Sequence, residues 1–121
     1  MHREILEVEN GAVLGYNIDL GKANLLLIEA DLGYICCSYF DPDTIEKLED
    51  AAVIISGVKR LNEMMEKKPS YISTKARELG IDKDMNGRQC LNKLIRIDKK
   101  EPDLDELIKE GEEPDEVQIQ G

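Results

Sequence analysis

Apolar and polar residues alternate strictly over 14–20, where Leu14, Tyr16, Ile18 and Leu20 are interleaved with Gly15, Asn17 and Asp19. A period of two marks a half-buried strand. Upstream, Ile5-Leu6-Glu7-Val8 and Ala12-Val13-Leu14 flank Asn10-Gly11. That pair tolerates the positive φ angles of a type I′ turn, so the spacing predicts a hairpin centred on it. Gly21-Lys22 turns the chain again. Residues 24–30 and 34–40 are apolar without clean alternation, with Asp31-Leu32-Gly33 between them. Strands apolar on both faces lie centrally in a sheet and need cover on each side. The pattern predicts a four-stranded antiparallel meander.

The period then lengthens. Asp41-Pro42-Asp43 opens a helix: an Asp can cap free N–H groups, Pro suits the first helical position, and a second acid favours the positive dipole end. Ile45 and Leu48 form its apolar stripe. Residues 51–56 read as a short buried strand ended by Gly57. Leu61, Met64 and Met65 mark a second helix, stopped before Pro69. Ile72, Ala76 and Leu79 mark a third, with Gly80 as its left-handed C-terminal cap and Ile81 making the accompanying apolar contact. Asn86-Gly87-Arg88-Gln89 reads as a capping box opening a fourth helix, which carries Leu91, Leu94 and Ile95. The predicted fold is α+β: meander, helix, short strand and three helices.

Composition and charge divide the chain. Residues 1–97 are expected to form one domain, and residues 98–121 an acidic tail. The net charge is -10 over 121 residues. Ten acids against Lys99, Lys100 and Lys109 put -7 of it in the tail. This balance argues against nucleic-acid and anionic-membrane partners, which require clustered Lys and Arg. No apolar run is long enough to span a bilayer. The N-terminal residues mix acids with apolar residues and lack a signal core, so a cytoplasmic protein is expected. An odd count of three cysteines fits a reducing compartment better than a disulfide framework.

Candidate chemistry centres on Cys36 and Cys37. Neighbours on a strand point to opposite faces, so the two thiols would not share a pocket. They lack the spacing and second ligand pair of a zinc site, and His2 is the single histidine. No metal or cofactor is expected. One reading makes both cysteines small core hydrophobes. The other makes Cys37, just before the helix at Asp41, a reactive thiolate and catalytic nucleophile. The second candidate is Asn86, Gly87 and Arg88, where helix-start N–H groups and a guanidinium would suit a carboxylate or phosphate; the alternative is plain capping and packing. Lys59-Arg60 opens a helix, where cations are unfavourable unless an anion compensates. Residues 103–107 do not supply the alternating ligands of a calcium loop.

Gly33-Tyr34-Ile35, Cys37, Asp41, Gly57-Val58-Lys59, Leu79-Gly80-Ile81, Met85, Gly87 and Arg88 together resemble the YunC-like family, a small bacterial and archaeal domain of unknown function. The resemblance covers roughly residues 10–95. It implies a compact, self-associating α+β domain. Asp84 stands where that family's turn has its first glycine, which counts against a backbone-lined anion loop. The resulting expectation is a homo-oligomeric domain that binds a small anionic ligand near Cys37 and Arg88, with a thiol-dependent enzyme using Cys37 as the alternative.

Overall fold

The computed structural model describes residues 1–96. Among these, six strands form one sheet in sequence order: β1 (His2–Val8), β2 (Gly11–Asp19), β3 (Asn24–Glu29), β4 (Tyr34–Cys36), β5 (Ala52–Ile54) and β6 (Tyr71–Ile72). Helix α1 (Pro42–Leu48) joins β4 to β5, α2 (Leu61–Glu66) joins β5 to β6, and α3 (Thr74–Glu78) and α4 (Gly87–Leu94) follow. The α+β class and the β1–β4 antiparallel meander are as predicted. The expected acidic tail lies outside the described residues. No helix among the described residues is long and apolar enough to cross a membrane.

The sheet itself is larger and of mixed sense. Strand β5 pairs parallel with β4, which it reaches through α1, and β6 adds antiparallel to β5. The third helix does not include Ile72, which belongs to β6 and pairs with Val53. The cause is Ser73, fully buried at the helix start. Its Oγ accepts from the N–H of Ala76 at 3.2 Å and of Ala52 at 2.9 Å, and donates to the Asp50 carbonyl at 2.8 Å. A side chain bonded to both helix and sheet forces the preceding residues to stay extended.

The first hairpin also differs from its prediction. Gly11 already pairs with Val8, so the loop is Glu9-Asn10. Among the described non-glycine residues only Glu49 has positive φ, which excludes a type I′ turn. Asn10 is held by α4 instead: its N–H donates to Asn92 Oδ1 at 2.9 Å, and its amide nitrogen donates to the Asn92 carbonyl at 3.1 Å. A tertiary anchor replaces the local turn preference.

Strand β2 presents its smaller residues to the helices. Val13 and Gly15 are buried, whereas Leu14, Tyr16 and Ile18 are half-buried on the opposite face. A Cβ at Gly15 would lie 2.9 Å from Leu61 Cδ1, so the glycine is the space that α2 fills. Leu26, Ile28, Ile35 and Val53 continue this layer beneath Met64, Leu91 and Leu94. On the other face Ile45 of α1 packs over Cys36, Ala52 and Ile54. The second cover that the central strands need thus comes, at β4 and β5, from α1. Over β1–β3 that face stays partly open, and Ile5 is 71% exposed.

The helix ends follow local signals. Asp41 Oδ2 accepts from the Thr44 N–H at 3.1 Å. At the end of α3, Ile81 N–H donates to the Ala76 carbonyl and Gly80 N–H to that of Arg77, with Gly80 at φ +95° and Ile81 buried. These paired bonds form a Schellman motif.

Candidate functional site

Alternation along β4 sends Cys36 into the layer beneath α1 and Cys37 into the main core, as their adjacency predicts. All three cysteines are free and buried. Burial pushes the Cys36 thiol far up, and its Sγ donates to the Val53 carbonyl at 3.6 Å. Burial, with Asp82 adding to it, pushes Cys90 up to about 12. These two are core residues. Cys37 differs. Its N–H donates to the Leu26 carbonyl at 3.0 Å and its Sγ accepts from the Leu26 N–H at 3.3 Å. Although only 5% exposed, Cys37 also lines a cavity of about 440 Å³.

Three segments distant in sequence build that cavity at one end of the sheet. The β2–β3 turn brings Lys22 and Asn24, the chain after β4 brings Cys37, Ser38 and Tyr39, and the β5–α2 connection brings Gly57, Val58 and Lys59. The turn is set by Asp19, whose Oδ1 accepts from the Gly21 N–H at 2.9 Å, with Gly21 at φ +98°. Gly57, at φ +73°, leaves room for Lys67, which does not line the cavity: a Cβ at Gly57 would lie 2.8 Å from Lys67 Nζ, which donates to the Ser56 carbonyl at 2.6 Å. Neither Lys22 nor Lys59 forms a salt bridge with another described residue.

The anion expected to compensate Lys59-Arg60 is Glu63. Its Oε1 accepts from the backbone N–H of Lys59 at 2.7 Å and of Arg60 at 3.3 Å. The Lys59 hydrogen bond, above all, holds this carboxyl below its ordinary range. Glu63 serves the helix start, and the Lys59 charge adds to holding its carboxyl low, although the two form no ion pair.

The start of α4 is a separate place. Asn86 Oδ1 accepts from the Gln89 N–H and Gln89 Oε1 from the Asn86 N–H, each at 2.9 Å, which is the predicted capping box. Gly87 donates its N–H to the Lys67 carbonyl at 3.0 Å, and a Cβ on it would lie 2.1 Å from the Met64 carbonyl oxygen. That glycine is where α4 meets α2. Arg88 donates to Glu66 Oε2 at 3.1 Å and to the Glu7 carbonyl at 3.2 Å. Asn86, Gly87 and Arg88 do not line the Cys37 cavity. The geometry therefore separates the two sites that the sequence placed together, and gives the cavity lysines in place of the arginine. Among the described residues no cluster of His, Cys, Asp and Glu is arranged to hold a metal ion.

The sequence reading did not single out Lys22, which lines the Cys37 cavity. Its sequence signal is a turn, and nothing local shows that the turn faces Gly57-Val58-Lys59 across the sheet end.

A family model described as a domain of unknown function, DUF1805, matches residues 36–94. The crystal structure of a protein of unknown function from Thermoplasma acidophilum superposes with a TM-score of 0.72 at 32% identity, covering 77% of this chain and 91% of that one. The chain belongs to this family. An uncharacterised protein of Bacillus subtilis (strain 168), YunC, is 26% identical over 93 residues, covering 74% of this chain and 92% of that protein. The resemblance carried by the scattered Gly, Cys and Arg positions is thus shown, and none of these names carries an activity. The matched span contains Cys37, Lys59 and Arg88 and excludes Lys22.

Proposed function

We propose that this domain binds a small anionic molecule in the cavity beside Cys37. The observation that carries the reading is the pair Lys22 and Lys59, two ammonium groups lining one cavity with no ion pair to a carboxylate among the described residues. The volume falls in the roughly 300–1,000 Å³ range of small-molecule sites. Lysines act as point charges and recognise carboxylate or phosphate without the bidentate geometry of arginine. Val58 and the Tyr39 ring offer apolar surface beside them, which favours a ligand with an apolar body and a charged head. Calorimetric titration of the full chain with a panel of organic carboxylates and phosphates tests this. Binding by one class, lost in a Lys22→Gln/Lys59→Gln variant, supports the reading, and no heat from any of them removes it.

The same reading makes the domain a homo-oligomer in a reducing, cytoplasmic setting. Support comes from β1, an edge strand of seven residues, and from the half-covered face carrying Ile5, Leu14, Tyr16 and Ile18. A long unpaired edge is a template for another strand. Light scattering that reports a lone protomer at high concentration would count against it.

A second reading uses Cys37 as a nucleophile, favoured by its place in a cavity with two cations. It lacks an imidazole base, since His2 sits on β1 bonded to Glu4 at 2.7 Å. Alkylation of Cys37 by iodoacetamide much faster than glutathione at neutral pH is its expected signature; an inert thiol ends it.

A further inference from the structure

We propose that β1 pairs antiparallel with the β1 of a second copy across a two-fold axis at Ile5, joining two six-stranded sheets into one. The proposal rests on the homo-oligomer reading and names the surface and the register of that contact.

Strand β1 is a sheet edge built without the usual guards. Its seven residues, His-Arg-Glu-Ile-Leu-Glu-Val, run in unbroken register with β2 and include no bulge, proline or lysine. Long edges are normally blunted by such devices. The other edge, β6, has two residues and leads through Ser73 straight into α3. Main-chain groups alternate along β1. Val8 pairs with Gly11 across a two-residue loop, and a tight turn closes on a hydrogen-bonded pair. Val8, Leu6, Glu4 and His2 therefore direct their N–H and C=O groups to β2, while those of Glu7, Ile5 and Arg3 point outward. The Glu7 carbonyl agrees with this phase, since it accepts from Arg88 at 3.2 Å. It keeps a second lone pair for a new strand.

Charge selects a copy of this chain over a foreign strand. A two-fold contact must be self-complementary. Arg3, Ile5 and Glu7 share one face of β1, and neither Arg3 nor Glu7 forms an ion pair among the described residues. An axis at Ile5 sets Arg3 opposite Glu7 of the second copy, and Glu7 opposite its Arg3. The two Ile5 side chains then meet. Within each sheet Ile5 stands beside Leu14 and Arg3 beside Tyr16. One apolar row thus crosses the joint, Leu14–Ile5–Ile5–Leu14, with an Arg3–Glu7 pair on either side. Side chains directly opposed in this way lie about 4.5–5.5 Å apart, where apolar and opposite-charge pairs are stabilising. The arrangement gives Ile5, 71% exposed in the single chain, an apolar neighbour on each side. Adjacent registers lose the match. An axis at Glu4 opposes two carboxylates, and one at Leu6 sets each Ile5 against a Glu7.

Light scattering of the full chain over a concentration series tests the pairing. Wild type should be dimeric. Ile5→Lys, at an exposed position outside the core, should be monomeric with an unchanged circular dichroism spectrum. Arg3→Glu and Glu7→Arg each oppose like charges twice and should weaken the dimer at least about tenfold, and the chain carrying both should return to within about threefold of wild type. A disulfide reads the register, because Cα atoms about 5.5 Å apart suit one. Mild oxidation should link two Ile5→Cys chains, and should leave Leu48→Cys, similarly exposed on α1, unlinked. A wild-type dimer that survives Ile5→Lys, a double exchange as weak as the single ones, or equal linking at both cysteines overturns the β1 pairing and leaves the homo-oligomer reading standing. A wild type that stays a lone protomer at high concentration removes both.

Discussion

Two cationic places in this domain look alike in sequence and differ in what they are bonded to. Arg88, at the start of α4, has Glu66 and the Glu7 carbonyl as partners, and the backbone around it is occupied by a capping box and by the Lys67 carbonyl. Lys22 and Lys59 line a cavity and form no ion pair with a carboxylate among the described residues. A cation already satisfied within the fold holds elements together. A pair without such partners beside a cavity is what the proposed anion site rests on, whereas the Arg88 contacts are accounted for by the fold.

Substitution at Gly87 breaks the comparison most severely. Gly87→Ala drives a methyl to 2.1 Å from a backbone oxygen of α2, and should cost at least about 3 kcal/mol by urea unfolding. What remains folded should still bind the anion. At the cavity the opposite split is expected. Lys22→Gln and Lys59→Gln should each leave stability within about 0.5 kcal/mol and weaken anion binding roughly tenfold, about 1.4 kcal/mol. Stability loss matching the binding loss would mean that these lysines are structural.

Smaller effects sharpen the contrast. Asn86→Ala removes the cap on α4 and should cost about 1 kcal/mol without changing affinity. Arg88→Gln breaks a surface pair and should cost less than about 1 kcal/mol, again with unchanged affinity. Acid tests the link between Glu63 and the cavity wall. The Glu63 carboxyl titrates lower in the folded chain than in the unfolded one, because backbone N–H groups of Lys59 and Arg60 stabilise its charged form. Its contribution is therefore present above the ordinary carboxylate range and lost as pH falls through the depressed value. Chemical denaturation between pH 3 and 6 should show a shallower acid-side slope for Glu63→Gln than for wild type.

The parts of the fold that were legible are those written in adjacent residues. Asp41-Pro42, Leu79-Gly80-Ile81 and Asn86 with Gln89 each carry their own hydrogen-bond partners within a turn, and each appears as read. Period-two patterning located β2 and mistook which face is buried, because Gly15 is a cavity for Leu61 and registers as polar spacing in a linear pattern. Ile72 was assigned to a helix because Ser73's partners, Asp50 and Ala52, lie more than twenty positions away. Similarly, the Asn10 anchor on Asn92 spans 82 positions. Of the candidate site, the sequence singled out Cys37 from its place at the end of an apolar strand, and Cys37 lines the cavity. The lysines were not legible as a pair, since the cavity exists only where three separate connections meet. Arg88 drew notice for a local helix-start motif, and that motif was already self-satisfied.

Amide chemical shifts of the isotopically labelled full chain, followed through a titration with inorganic pyrophosphate, test the central claim most directly. The account predicts saturable shifts confined to residues 22–24, 37–39 and 57–59, with residues 86–89 unmoved. Shifts that gather at 86–89, or an unchanged spectrum throughout, would contradict it.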